Sequence, residues 1–103
     1  MARALISVTG AQTDTELVAA TAGKSIKVLG LQFTTSAAAT VSVTDGADGA
    51  TTRFIHGDFA ANSGVYAGGI DPDKPLFVCS VNTALNITNS AGNLKGVVTY
   101  LVA

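Results

Sequence analysis

Short stretches in which β-branched or large apolar residues alternate with small polar ones run the length of the chain. Clusters of glycine, aspartate, asparagine and proline break them at intervals near the roughly 8–12 residues of a β-sandwich. The cleanest alternation is in 39–44, where Val41 and Val43 take one face and Ser42 and Thr44 the other. The same pattern predicts strands over 4–9, 16–21, 25–35, 51–59, 76–81, 84–88 and 94–102, with a short strand and loop within 60–70. Thr13 and Glu16 have capping-box spacing, yet the apolar positions of 13–22 do not continue at helical period, so a strand is predicted there too. Turns are expected at Gly10-Ala11-Gln12-Thr13-Asp14, Asp45-Gly46-Ala47-Asp48-Gly49 and Asn89-Ser90-Ala91-Gly92-Asn93, the aspartate–glycine pairs of the second supplying residues that tolerate positive φ. Asp71-Pro72-Asp73-Lys74-Pro75 is expected to be a stiff turn, since proline cannot join a ladder interior. The expectation is one all-β domain over 1–103: an antiparallel two-sheet β-sandwich, jelly-roll-like, of eight to nine strands.

Two departures from simple alternation carry information. In 25–35, Leu29, Leu31 and Phe33 share one parity while Ile26 and Val28 take the other. Either that strand has two apolar faces or a bulge near Gly30 switches its phase. The runs 76–81 and 97–102 are apolar on both parities, although a sandwich strand has only one core face. With no helix predicted to cover the other face, the simplest cover is a second copy of the chain. Leu76, Val78, Val81, Val98, Tyr100 and Val102 are the expected subunit-interface residues.

Composition points the same way. Charged residues make up 13% of the 103 residues, against roughly 25% in ordinary domains. Hydrophobic residues make up 48%. A surface so poor in charge fits a protein that hides part of it in an interface. The net charge is −1 and no basic stripe exists to neutralise phosphates, so no nucleic-acid partner is expected. No basic amphipathic helix and no apolar run near the roughly 20 residues of a membrane span is present, so no membrane partner is expected either. The first residues, Met1-Ala2-Arg3-Ala4-Leu5-Ile6-Ser7, do not read as a signal peptide, and synthesis in the cytoplasm is expected.

Candidate chemistry is sparse. Cys79 lies in an apolar run, as a buried small hydrophobe would. Gly23-Lys24-Ser25 resembles the end of a phosphate-binding loop, but Val18 stands where that motif needs glycine and a strand follows rather than a helix. His56 and Asp58 share a strand parity, without a nucleophile on a shaped turn to complete a triad. Asp45, Asp48, Asp71 and Asp73 are explained by turn formation; a calcium ion shared between subunits is the alternative. Asn86-Ile87-Thr88 is a formal glycosylation sequon set in a strand. The reading is a protein that is not an enzyme and needs no cofactor or metal.

The order of these features resembles a broad group of small β-sandwich proteins encoded among the virion genes of tailed bacteriophages. The resemblance rests on Gly23-Lys24-Ser25 before the long strand Ile26-Lys27-Val28-Leu29-Gly30-Leu31, and on an alanine- and threonine-rich hairpin after it. Pro75-Leu76-Phe77-Val78, Ala84-Leu85-Asn86-Ile87-Thr88 and the closing Gly96-Val97-Val98-Thr99-Tyr100 complete it. It implies a capsid decoration (cement) protein, often trimeric, made in the host cytoplasm and placed on the capsid surface, where it clamps neighbouring subunits of the major capsid protein lattice. The alternative it implies is a receptor- or carbohydrate-binding domain of a tail fibre or baseplate. That role needs an exposed aromatic platform, for which only Tyr66 and Tyr100 are at hand.

Overall fold

The computed structural model describes residues 1–46 and 53–103. Among these residues nine strands follow one another: β1 (Ala2–Thr9), β2 (Gln12–Val18), β3 (Ile26–Thr35), β4 (Ala39–Asp45), β5 (Arg53–Phe59), β6 (Gly64–Ala67), β7 (Phe77–Val78), β8 (Leu85–Asn89) and β9 (Asn93–Val102). No helix occurs among the described residues. The strands form two antiparallel sheets, one in the order β1-β9-β3-β6 with β7 also on β3, the other in the order β2-β8-β4-β5.

The pairings are nested. β1 pairs β9, β2 pairs β8, β3 pairs β6 and β7, and β4 pairs β5. The chain is therefore a two-stranded ribbon doubled back between β4 and β5, with successive pairs placed alternately in the two sheets. That is jelly-roll connectivity. One face of every strand turns inward, and Ile6, Val28, Phe33, Val41, Val43, Leu85, Ile87, Leu94 and Val98 fill the space between the sheets. Phe33 and Phe59 meet edge to face at 5.4 Å within this core.

The doubled apolar parity of β3 is a bulge. Its register with β9 jumps from Val28 opposite Tyr100 to Gly30 opposite Thr99, leaving Leu29 without a partner. Ile26 and Val28 before the bulge and Leu31 and Phe33 after it consequently all face the core. β6 pairs with β3 beyond the bulge and β7 pairs with it before the bulge. The segment joining them crosses there, bringing Gly68 against the Leu29 carbonyl.

Several expected boundaries move. The strand expected over 76–81 shrinks to Phe77–Val78. Leu76 and Cys79 donate their amides to Val28 and Ile26 of β3, but Asp45 then draws Ser80 away, accepting its amide at 3.1 Å and its hydroxyl at 3.0 Å. β2 begins at Gln12 and ends at Val18, not over 16–21, because the turn expected at 10–14 becomes a tight reversal at Gly10 followed by an irregularity in which Asp14 has positive φ. Asp45 closes β4 as a buried strand residue rather than opening a turn. The last three residues of that expected turn, 47–49 with Asp48, and the first two residues of the strand expected from 51 lie outside the described residues. Asn89, also buried, ties two turns together by donating to the carbonyls of Gly10 and Gly92.

Candidate functional site

The two outer faces of the sandwich differ in chemistry. On the β2-β8-β4-β5 sheet the outward rows are Thr88–Ser42–His56 and Glu16–Asn86–Thr44, with Thr40 opposite Asp58. These groups satisfy one another: Thr40 donates to Asp58 at 2.6 Å, Ser42 Oγ and His56 Nδ1 are 2.6 Å apart, and Asn86 and Thr44 both donate to the Gly46 carbonyl. Ser42 and Thr44, expected to face solvent, do lie on the outer face, yet they are buried under these neighbours.

The outer face of the other sheet is apolar and cationic. One row runs Leu5–Val97–Gln32–Tyr66 across four strands. Beside it lie Arg3–Thr99–Gly30 on one side and Ser7–Lys95–Thr34–Gly64 on the other. Lys27 stands between Leu101 and Val78 in a further row. Among the described residues, the exposed large hydrophobics are Met1, Leu5, Tyr66, Ile70, Leu76, Val78 and Val81. None of them belongs to the polar sheet.

The six expected interface residues divide into an exposed group and a core group. Leu76, Val78 and Val81 are exposed at 37%, 47% and 55%. Phe77 between them turns inward, where its ring stacks on Phe54. Val98 is wholly buried, in the inward row Ala4–Val98–Leu31, so it belongs to the chain's own core and not to a subunit interface. Tyr100 and Val102 share its parity and pack against the same core. The outward apolar residues of β9 are Val97 and Leu101, which alternation alone cannot single out because both parities of that strand are apolar.

A shallow furrow runs along the outer side of β3. Depressions of about 210 and 430 Å³ flank Tyr66, whose side chain is 75% exposed. Gln32 borders both, Arg3 lies at one end, and Thr34, Asn62 and Lys95 lie at the other. Ile70 closes the Arg3 end from a backbone with φ of 54°, and its Cγ1 would lie 3.1 Å from a Cβ on Gly30. Only a glycine at position 30 lets Ile70 settle there without displacement.

Cys79 is buried, and burial with the nearby Asp45 carboxylate pushes its thiol up to about 11, so it is no nucleophile near neutrality. His56 turns Nδ1 to Ser42, whose hydroxyl is shielded, while the Asp58 carboxylate is engaged by Thr40. In a triad the carboxylate would orient the histidine and the hydroxyl would face a substrate. Asp71 accepts the Asp73 amide at 2.9 Å, closing the expected turn. Gly23 has φ of 74° and the chain passes directly into β3, so no helix follows the Gly23-Lys24-Ser25 turn. No group of three or more His, Cys, Asp or Glu residues among those described gathers to hold a metal ion. Compared with protein-family models, with curated proteins and with solved structures, the chain matches none.

Proposed function

We propose that the chain is a structural protein of a tailed-bacteriophage virion: a capsid decoration (cement) protein that assembles as a homotrimer and clamps neighbouring major capsid subunits on the head surface. The observation that carries this reading is the exposure of Leu76, Val78 and Val81 within six consecutive residues of a backbone anchored to β3 and Asp45. Each such side chain, once buried, contributes about 1.5–3 kcal/mol. A three-fold ring uses the patch head to tail against a different surface of the next copy, and it closes without an open filament. A trimer then engages several shell subunits together, so modest affinity per copy suffices.

Sedimentation and capsid binding test this. Wild-type protein at micromolar concentration should sediment as a trimer, cosediment with bare expanded heads and raise their resistance to heat, as anything that binds one state must stabilise it. Val78→Asp and Val81→Asp change exposed side chains, so both variants should keep the fold while losing the trimer and the heads. A wild-type monomer that ignores heads overturns the reading.

A further inference from the structure

The furrow along β3 collects hydrogen-bonding groups that nothing among the described residues uses. The side chains of Arg3, Gln32, Thr34, Asn62, Tyr66 and Lys95 border it, and none of the six makes a hydrogen bond or ion pair among the described residues. By contrast, the outward side chains of the opposite sheet bond extensively to one another. The furrow covers positions 30–36, about 20 Å of extended chain at ~3.3 Å per residue. Among the described residues, its lining has a cation towards each end and no acidic residue.

We propose that this furrow binds an anionic saccharide. A sugar ring presents a flat C–H face with hydroxyls around its rim. The Tyr66 ring, held in the strand row Gln32–Tyr66 and exposed on its outer side, offers a rigid apolar platform for the C–H face. Gln32 and Asn62 carry planar amides, each both donor and acceptor, and Thr34 adds a hydroxyl; such groups pair with vicinal hydroxyls. Lys95 and Arg3 would meet carboxylate or phosphate substituents on the sugar. The open, shallow shape admits an internal stretch of a longer chain. An apolar peptide would leave these amides and cations without partners. The furrow occupies the half of β3 beyond the bulge, whereas β7 and the apolar patch lie on the half before it. The proposal therefore stands independently of the capsid reading.

An array of uronic-acid, sialylated, phosphorylated and neutral oligosaccharides probes it, with a single-stranded oligonucleotide as a polyanion control. At least one acidic saccharide should be retained, its neutral counterpart should not, and binding should weaken as salt rises. Tyr66→Ala and Lys95→Glu should each weaken the retained saccharide about tenfold or more. Glu16→Gln, on the opposite sheet, should leave binding unchanged. Retention of no acidic saccharide overturns the proposal. So does binding that survives Tyr66→Ala or is matched by the oligonucleotide, since either marks a general cationic surface. Tyr66→Ala should still cosediment with heads, so loss of saccharide binding and loss of capsid binding are read separately.

Discussion

Phe54 of β5 and Phe77 of β7 lie face to face, with ring centroids 5.2 Å apart and planes 8° from parallel. Each belongs to an outer strand of a different sheet, so the stack joins the two sheets where β7 is only two residues long. So short a strand has little hydrogen bonding of its own to hold it, and Phe77 is its anchor. Both rings are partly buried against the core.

Phe77→Ala should therefore lower stability by about 2–3 kcal/mol, below the 3–5 of a fully buried phenylalanine. It should also weaken self-association, because Leu76 and Val78 are displayed by the backbone that Phe77 fixes. Chemical denaturation and sedimentation of one variant measure both effects. A trimer that survives with normal stability would remove Phe77 from this role.

Aspartate scanning separates inward from outward positions. Val98→Asp places a carboxylate in the core, where an unpaired charge costs several kcal/mol, and should prevent folding. Val81→Asp changes an exposed side chain and should shift monomer stability by no more than about 0.5 kcal/mol. Ser42→Asp should fall between them, since Ser42 is 3% exposed despite lying on an outer face. Alternation alone ranks Ser42 as the most tolerant of the three. Melting temperatures of the three variants decide the order.

The contrast shows what the sequence made legible. Alternation and turn chemistry located nearly every strand and the two-sheet architecture. Parity named the inward residues wherever one face was polar, as at Val41 and Val43. It failed in β9, where Val97, Val98, Leu101 and Val102 are apolar on both parities and only pairing with β1 and β3 decides which face the core. It also failed at Ser42, because a cross-strand His56 covers a small side chain and no local pattern reports that. The β3 bulge was one of two readings of a phase change, and the register at Gly30 selected it. The furrow was not legible: Arg3, Gln32, Asn62, Tyr66 and Lys95 come from separate segments that only the sheet order brings together.

The Cys79 thiol makes stability depend on alkaline pH. Its folded-state value of about 11 lies above the ordinary 9.0, through burial first and the Asp45 carboxylate second. The folded protein keeps the proton that the unfolded chain loses. This contribution is intact below pH 9 and is lost progressively between about pH 9 and 11, by at most about 1.4 kcal/mol per pH unit. Cys79→Ala should flatten that part of the profile relative to wild type. Equal slopes in the two proteins would contradict the buried placement. Native protein should also react slowly with thiol reagents at neutral pH and rapidly once denatured.

Two adjacent glycines in the crossing between β6 and β7 should respond in opposite ways to the same substitution. Gly68 has φ of 104°, and a Cβ there would fall against the Leu29 carbonyl oxygen and within 2.8 Å of Leu76 Cδ1. Leu76 can turn aside, but the Leu29 carbonyl is backbone at the bulge and cannot move without disturbing β3. Gly68→Ala thus adds a conformational penalty of about 1–2 kcal/mol to a steric one. Gly69 has no positive φ, and a Cβ there meets nothing within 4 Å. Gly69→Ala should be neutral or stabilise by about 0.4–1 kcal/mol, by restricting the unfolded chain. The pair also tests the geometry beneath the furrow, because the Gly68 crossing positions Ile70 over Gly30. Gly68→Ala should lower the melting temperature and disturb the amide resonances of Gly30 and Tyr66, while Gly69→Ala leaves those resonances in place. Equal behaviour of the two variants would mean that the crossing does not lie against the bulge.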